Sequence, residues 1–274
     1  MRIGGKDFDT DNKCYIMGIL NVTPDSFSDG GRYNDIDRAL KRAEAMIDEG
    51  ADIIDIGGES TRPGFTRITD EEETARTAPV IEALKARFDI PVSIDTYKYR
   101  VAGYAVSAGA DMVNDVCGLK YDNGEMARFI AESRLPCCIM HNRSDSSYNS
   151  FMDDMLDDLR GSLNIAYSAG IDRQGIILDP GIGFAKSYEN NLEAIDRLDV
   201  LVKELGYPVL LGTSRKSVIG NCLGLPSGER VEGTVATTVI GAMRGAAFFR
   251  VHDVRENLRA LKMTKAVMEG WING

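Results

Sequence analysis

Polar residues stand wherever a short apolar run of this chain ends, and they are of two chemical kinds. Asp95, Asn114 and Asp179 offer carboxylate and amide groups that can read the N–H edge of a flat heterocycle. Arg62, Lys216, Arg250 and His252 suit phosphate oxygens, the arginines in bidentate fashion. Asn21, Glu59, Ser60, Thr61, His141, Ser214 and Ser217 occupy further ends of the same sort. An acid or amide after a strand has an ordinary use, capping the next helix, and for any one residue that account is as good. It does not extend to Arg62, Lys216 and Arg250, because a cation at a helix N-terminus opposes the helix dipole. An anionic ligand explains them. The chain carries a net charge of −10, so a cationic pocket within it suits a small anion and not a polyanion.

The apolar runs that must position these residues lie at 15–20, 52–56, 91–94, 111–113, 136–140, 175–178, 208–211 and 247–251. They are short and mostly uninterrupted, as strands of a parallel sheet are. Amphipathic segments alternate with them. Ile36, Leu40, Ala43 and Ile47 mark one apolar helix face, Met152, Leu156, Leu159, Leu163 and Ala166 another. Leu192, Ile195, Leu198, Val202 and Leu205 are read as the buried side of a single helix. Gly50, Gly109 and Gly170 stand where such segments stop. Eight strand–helix units in roughly 250 residues predict an α/β protein, a (β/α)8 TIM barrel whose active site is built from the loops after the strands. The alternative is a doubly wound open sheet, but the first loop lacks a G-x-G-x-x-G turn. No linker divides the chain, so 1–274 is read as a single domain.

Composition removes several function classes. Apolar residues make up 43% of 274, enough for a sizeable core. The acidic balance argues against nucleic acid or a membrane surface as partner, and no apolar run is long enough to span a bilayer. Cys14, Cys117, Cys137, Cys138 and Cys222 are odd in number and show no C-x-x-C spacing; they are read as reduced thiols of a cytoplasmic protein. Cys137 and Cys138, adjacent in one run, should point to opposite faces of a strand. Of the two histidines, His252 stands beside Arg250 and suits phosphate, while His141 has no role assigned by pattern. By pattern Met140 is core, and Phe184 is either packing or pocket wall.

The stretches NVTPDSFSDGG (21–31), IDIGGESTRPG (54–64), SIDT (93–96), ND (114–115), LDPGIGF (178–184), GTSRKS (212–217) and RVHDV (250–254) resemble, in order, the signatures of the dihydropteroate synthase family. The resemblance spans about Tyr15 to Val254. It implies a transferase that condenses 6-hydroxymethyl-7,8-dihydropterin pyrophosphate with p-aminobenzoate. Carried over by motif, Asp95, Asn114, Met140, Asp179, Phe184, Lys216 and Arg250 bind the pterin. Asn21, Thr61, Arg62, Arg250 and His252 take the pyrophosphate, with Mg2+ bridging it through Asn21. Phe27, Thr61, Pro63, Lys216 and Ser217 shape the p-aminobenzoate pocket, where sulfonamides would compete. Asp95, Lys216, Arg250 and Arg62 are the residues expected to carry the chemistry. The glycines at 30, 31, 57, 58 and 64 suggest loops that order when ligands bind. The family also implies a homodimer formed through the C-terminal helices. Two other readings stay open: a methyltetrahydrofolate–corrinoid methyltransferase, which has no use for pyrophosphate, and a non-catalytic pterin-binding barrel.

Overall fold

The computed structural model describes residues 1–23, 32–60 and 66–272. Its strands are β1 (Arg2–Ile3), β2 (Lys6–Asp7), β3 (Tyr15–Asn21), β4 (Ile53–Gly57), β5 (Val92–Asp95), β6 (Met112–Asp115), β7 (Cys137–Met140), β8 (Ile176–Asp179), β9 (Leu210–Leu211) and β10 (Phe248–Val251). The helices are α1 (Arg32–Asp48), α2 (Asp70–Arg87), α3 (Tyr99–Ser107), α4 (Glu125–Ser133), α5 (Phe151–Ala169), α6 (Tyr188–Asp196), α7 (Leu198–Leu205), α8 (Ser217–Leu223), α9 (Val231–Met243) and α10 (Val254–Ile272).

Strands β3 to β10 form one parallel sheet in the order β8-β7-β6-β5-β4-β3-β10-β9. A parallel bridge between Leu178 and Val209 joins β8 to β9, so the sheet closes into the expected eight-stranded barrel. The strands begin and end within a residue or two of the predicted runs.

Alternation along the strands builds two separate cores. Ile16, Ile54, Ile94, Val113, Cys137, Ile176, Leu211 and Phe249 face outward and pack under the helices. Met17, Ile53, Met112, Cys138, Ile177, Leu210 and Phe248 face inward and fill the barrel's lower half. Cys137 and Cys138 thus point to opposite faces, and all five cysteines are free thiols. The hairpin of β1 and β2 was not foreseen. It sends Ile3 and Phe8 into the bottom of the barrel, where Phe8 meets the ring of Tyr15 edge-on at 4.7 Å.

One predicted helix is two. The segment after β8 breaks at Arg197 (φ −102°, ψ 25°), between α6 and α7, and Leu192 is 43% exposed instead of buried. The side that α6 turns inward carries Asn191. Its amide oxygen accepts from the Gly183 N–H at 2.6 Å and its amide nitrogen donates to the Ser187 carbonyl at 2.7 Å. Satisfying that loop turns the neighbouring Leu192 to solvent. Among the described residues no helix is long and apolar enough to cross a membrane.

Candidate active site

The same alternation creates the site. One inward step beyond the apolar lower layer, Ile53 gives way to Asp55, Met112 to Asn114, Cys138 to Met140, Ile177 to Asp179, Leu210 to Gly212 and Phe248 to Arg250. Ser93 is followed likewise by Asp95. The upper inward layer is therefore polar, and it lies at the C-terminal strand ends. Register fixes its order: Asn21 pairs with Gly57, Gly57 with Asp95, and Asp95 with Asn114.

The two bare positions show where the side chains converge. A Cβ added at Gly57 would lie 3.4 Å from Asn21 Oδ1 and 3.7 Å from Asp95 Oδ2. One added at Gly212 would lie 3.7 Å from Lys216 Nζ, 3.8 Å from Asp179 Oδ2 and 3.9 Å from Arg250 Cβ. The structure thus brings Asn21, Asp95, Asn114, Asp179, Lys216 and Arg250 to one mouth. It adds a residue that the sequence reading passed over. Asp55 is fully buried, and its Oδ2 accepts from Arg250 Nε at 2.5 Å and from Asn114 Nδ2 at 3.3 Å. An acid inside an otherwise apolar run, on the face that carries Ile53, was the available signal.

Arg250 bridges two acids, donating to Asp55 and, through its second nitrogen, to Asp95 Oδ2 at 2.5 Å. Burial alone would pull the guanidinium pKa down, but the two carboxylates beside it hold it above the usual arginine range. Burial pushes Asp95 up to about 7, against the pull of Arg250. Burial likewise raises Asp179, opposed by Lys216 and by the Gly181 N–H, which donates to Asp179 Oδ1 at 2.6 Å. Lys216 falls to about 8 because it is desolvated, with Asp179 holding it up. Two buried atoms, Asp55 Oδ1 and Asp95 Oδ1, have no hydrogen-bond donor among the described residues. Unmatched acceptors in a buried mouth call for a partner, and a ligand that brings N–H groups would supply one.

The wall is apolar. Met140 is buried with Tyr97 and Val116 and against Phe184, a small cluster apart from the two cores. Met140 is thus buried among apolar side chains at the level of the mouth. Lys216 Nζ stands 4.9 Å over the Phe184 ring and donates to the Ile182 carbonyl at 2.7 Å. At the other end, His252 and Ser214 link the loops after β10 and β9, Nδ1 to Oγ at 3.0 Å. Ser217 is exposed at the start of α8, next to Lys216. Phe27, Thr61, Arg62 and Pro63, with the glycines at 30, 31 and 64, lie outside the described residues.

His141 turns away from the acids. It is buried, its Nε2 meets Asp158 Oδ2 at 3.0 Å and its Nδ1 meets Lys186 Nζ at 2.8 Å.

The profile of the pterin binding enzyme family matches residues 17–252. A dihydropteroate synthase of Clostridium beijerinckii is 59% identical over 269 residues, covering 98% of this chain and 99% of its own. The crystal structure of dihydropteroate synthase from Clostridium difficile in the presence of pteroic acid superposes with a TM-score of 0.92 at 52% identity, over 95% of this chain and 99% of that one. The Xanthomonas albilineans dihydropteroate synthase with 4-aminobenzoic acid gives 0.92 at 42% identity, over 97% of each chain. A barrel mouth that sets buried acids beside half-buried cations, on a chain this similar along nearly its whole length, has one assignment: the chain belongs to the dihydropteroate synthases, transferases of the pterin-binding family.

Proposed function

We propose that the mouth described above divides between a pterin half and a pyrophosphate half. The reaction is the condensation of 6-hydroxymethyl-7,8-dihydropterin pyrophosphate with p-aminobenzoate, giving 7,8-dihydropteroate and pyrophosphate in folate biosynthesis. The observation that carries the division is the upper inward layer, where Asp95, Asn114 and Asp179 face Lys216 and Arg250 across a floor left bare by Gly57 and Gly212.

In this reading the pterin's amino-pyrimidinone edge donates to Asp179, and its ring N–H groups meet Asn114 and Asp95. Met140 and Phe184 cover its face, and Arg250 packs on it. Asn21, Arg62, Thr61, Arg250 and His252 take the pyrophosphate. The bond between the exocyclic methylene carbon and oxygen breaks, and its electron pair leaves with the pyrophosphate. That departure is eased by positive charge held around it. The positive charge left on the methylene spreads into the pterin, beside the carboxylates of Asp95 and Asp179. The arylamine lone pair then forms the C–N bond, and the nitrogen gives up a proton. An aromatic amine is an adequate nucleophile for such a cation, so no His–acid dyad is needed. Thr61, Pro63, Phe27, Lys216 and Ser217 shape the arylamine's place, where sulfonamides would compete.

Asn21 suits Mg2+ as a ligand, since its amide oxygen is a hard donor at the pyrophosphate end. No group of three His, Cys, Asp or Glu side chains that could hold a metal occurs among the described residues. Mg2+ commonly keeps several waters and takes phosphate oxygens of its substrate beside one or two protein ligands. When bound it supplies charge neutralisation for the leaving group.

We further read residues 1–274 as a single domain of a cytoplasmic homodimer. Supporting the dimer, α9 and α10 pack side by side and expose Ile240, Met243, Met263, Val267 and Met268, with Met263 64% exposed. The test of function is incubation of the purified protein with both substrates and Mg2+. Pyrophosphate should appear in a one-to-one ratio with dihydropteroate, and only when the arylamine is present. Pterin binding without turnover would overturn the reading, as would methyl transfer to a corrinoid.

A further inference from the structure

The loop after β8 must hold an unusual backbone in place. Gly181, Gly183 and Ala185 all adopt positive φ, and Ala185 at 44° does so with a side chain. A Cβ added at Gly181 would lie 2.0 Å from the His141 carbonyl oxygen, so the loop sits directly on the end of β7. Its polar groups are taken up one by one. Gly181 N–H donates to Asp179, Gly183 N–H to Asn191, and the Ile182 carbonyl accepts from Lys216. The Ala185 carbonyl accepts from the Tyr148 hydroxyl at 2.8 Å.

Two further carbonyls of the loop accept from Lys186. Its ammonium donates to the carbonyls of Gly181 and Phe184, both at 3.0 Å, and to His141 Nδ1 at 2.8 Å. Three donors meet three acceptors, the full capacity of the protonated amine, whose pKa burial lowers to about 7. His141 is fixed by this arrangement. A ring whose Nδ1 accepts from an ammonium carries its proton on Nε2, which donates to Asp158 Oδ2. Arg143 Nε donates to the same carboxylate oxygen. Burial and the neighbouring lysine push the His141 pKa down to about 3, so the ring is neutral at ordinary pH.

We propose that Lys186, backed by His141 and Asp158, is a positioning residue for the pterin. It locks the turn at 181–185, and through that turn it sets the face presented by Phe184 and the seat of Lys216. The inference rests on the functional reading above, but it concerns residues that touch no substrate there.

The test uses calorimetry with 6-hydroxymethylpterin and, separately, with inorganic pyrophosphate and Mg2+, on the full chain. Lys186→Met keeps the volume and removes all three donors. Pterin affinity should fall tenfold or more, while pyrophosphate affinity should stay within twofold, because Asn21 ends β3 and His252 follows β10, away from this loop. Lys186→Arg, which keeps the charge and the donors, should restore most of the pterin affinity. His141→Gln serves as a second variant should the methionine protein not fold, and it should weaken pterin about threefold or more with the same selectivity. Equal loss of both ligands would mark general damage to the barrel and overturn the inference. So would unchanged pterin affinity in a variant when the wild type binds. A wild type that binds no pterin overturns the functional reading and this inference with it.

Discussion

Arg250 should be as important to the empty protein as to the reaction, and Arg250→Met tests this. The guanidinium is 17% exposed and lies 2.5 Å from Asp55 Oδ2 and 2.5 Å from Asp95 Oδ2, whose side chains are 0% and 8% exposed. Removing the cation leaves two buried acids facing each other unpaired. Breaking a buried ion pair from one side costs about 3–5 kcal/mol, out of the roughly 5–15 kcal/mol by which domains are stable. The pH dependence distinguishes this cause from a packing defect. Asp95 stands at about 7 with Arg250 beside it, and without that cation it rises further. Its folded pKa is raised above the unfolded value, so its cost to stability is absent at low pH and grows as pH rises through the folded pKa. Below pH 7 Asp95 is mostly protonated in both folded proteins and adds little to the difference between them. Above pH 7 the wild type ionises while the variant keeps its proton, and the gap widens by up to about 1.4 kcal/mol per pH unit. Urea denaturation at pH 6 and pH 9 reads this directly. The gap should be about 3–5 kcal/mol at pH 9 and at least about 1 kcal/mol smaller at pH 6. A gap that is the same at both values, or smaller at pH 9, refutes the reasoning.

Two further outcomes follow from the site and the surface. Asp179→Asn keeps an oxygen for the Gly181 N–H but sets an amide donor against pterin donors. It should weaken pterin binding by about 2–5 kcal/mol with little change in the melt; unchanged affinity by calorimetry would remove Asp179 from the pterin contacts. Met243→Asp combined with Met263→Asp places charges on the apolar face of α9 and α10. If the proposed homodimer forms through this face, the double variant should sediment as monomer where the wild type sediments as dimer, and an undisturbed dimer would move the interface elsewhere.

The barrel was legible because parallel strands buried on both faces read as short apolar runs, each ending in a polar residue that the fold must explain. Most of the site followed from that, since the last inward position of a strand opens to the mouth. Asp55 was missed because it stands before the end of its run, at a place where periodicity alone expects an apolar side chain. Only the inward step from Ile53 gives it away. The partners of His141 were illegible for another reason. Asp158 comes from α5 and Lys186 from the loop after β8, and no spacing in the chain joins them. The break at Arg197 escaped because Leu192 fits a helical stripe, while the hydrogen bonds of Asn191 decide which side faces in. The N-terminal strands are two residues each, too short for alternation to register.

The arrangement of charge within the mouth bears on how such a site can exist without ligand. Three buried acids, Asp55, Asp95 and Asp179, share one mouth, and burial raises the pKa of Asp95 and Asp179. Two cations of the mouth offset this cost. Arg250 lies between Asp55 and Asp95, and Lys216 is the strongest charge acting on Asp179. Arg250 does not match its two acids fully, because Asp55 Oδ1 and Asp95 Oδ1 keep acceptor capacity that no described group uses. In the proposed reaction a pterin fills that capacity with N–H donors, and the pyrophosphate brings negative charge toward Arg250. When the pyrophosphate leaves, the acids are left beside a cationic pterin, the state in which their charge is most favourable. Groups that stabilise the empty pocket as pairs would then act separately, Arg250 on the leaving group and the acids on the carbon that it leaves.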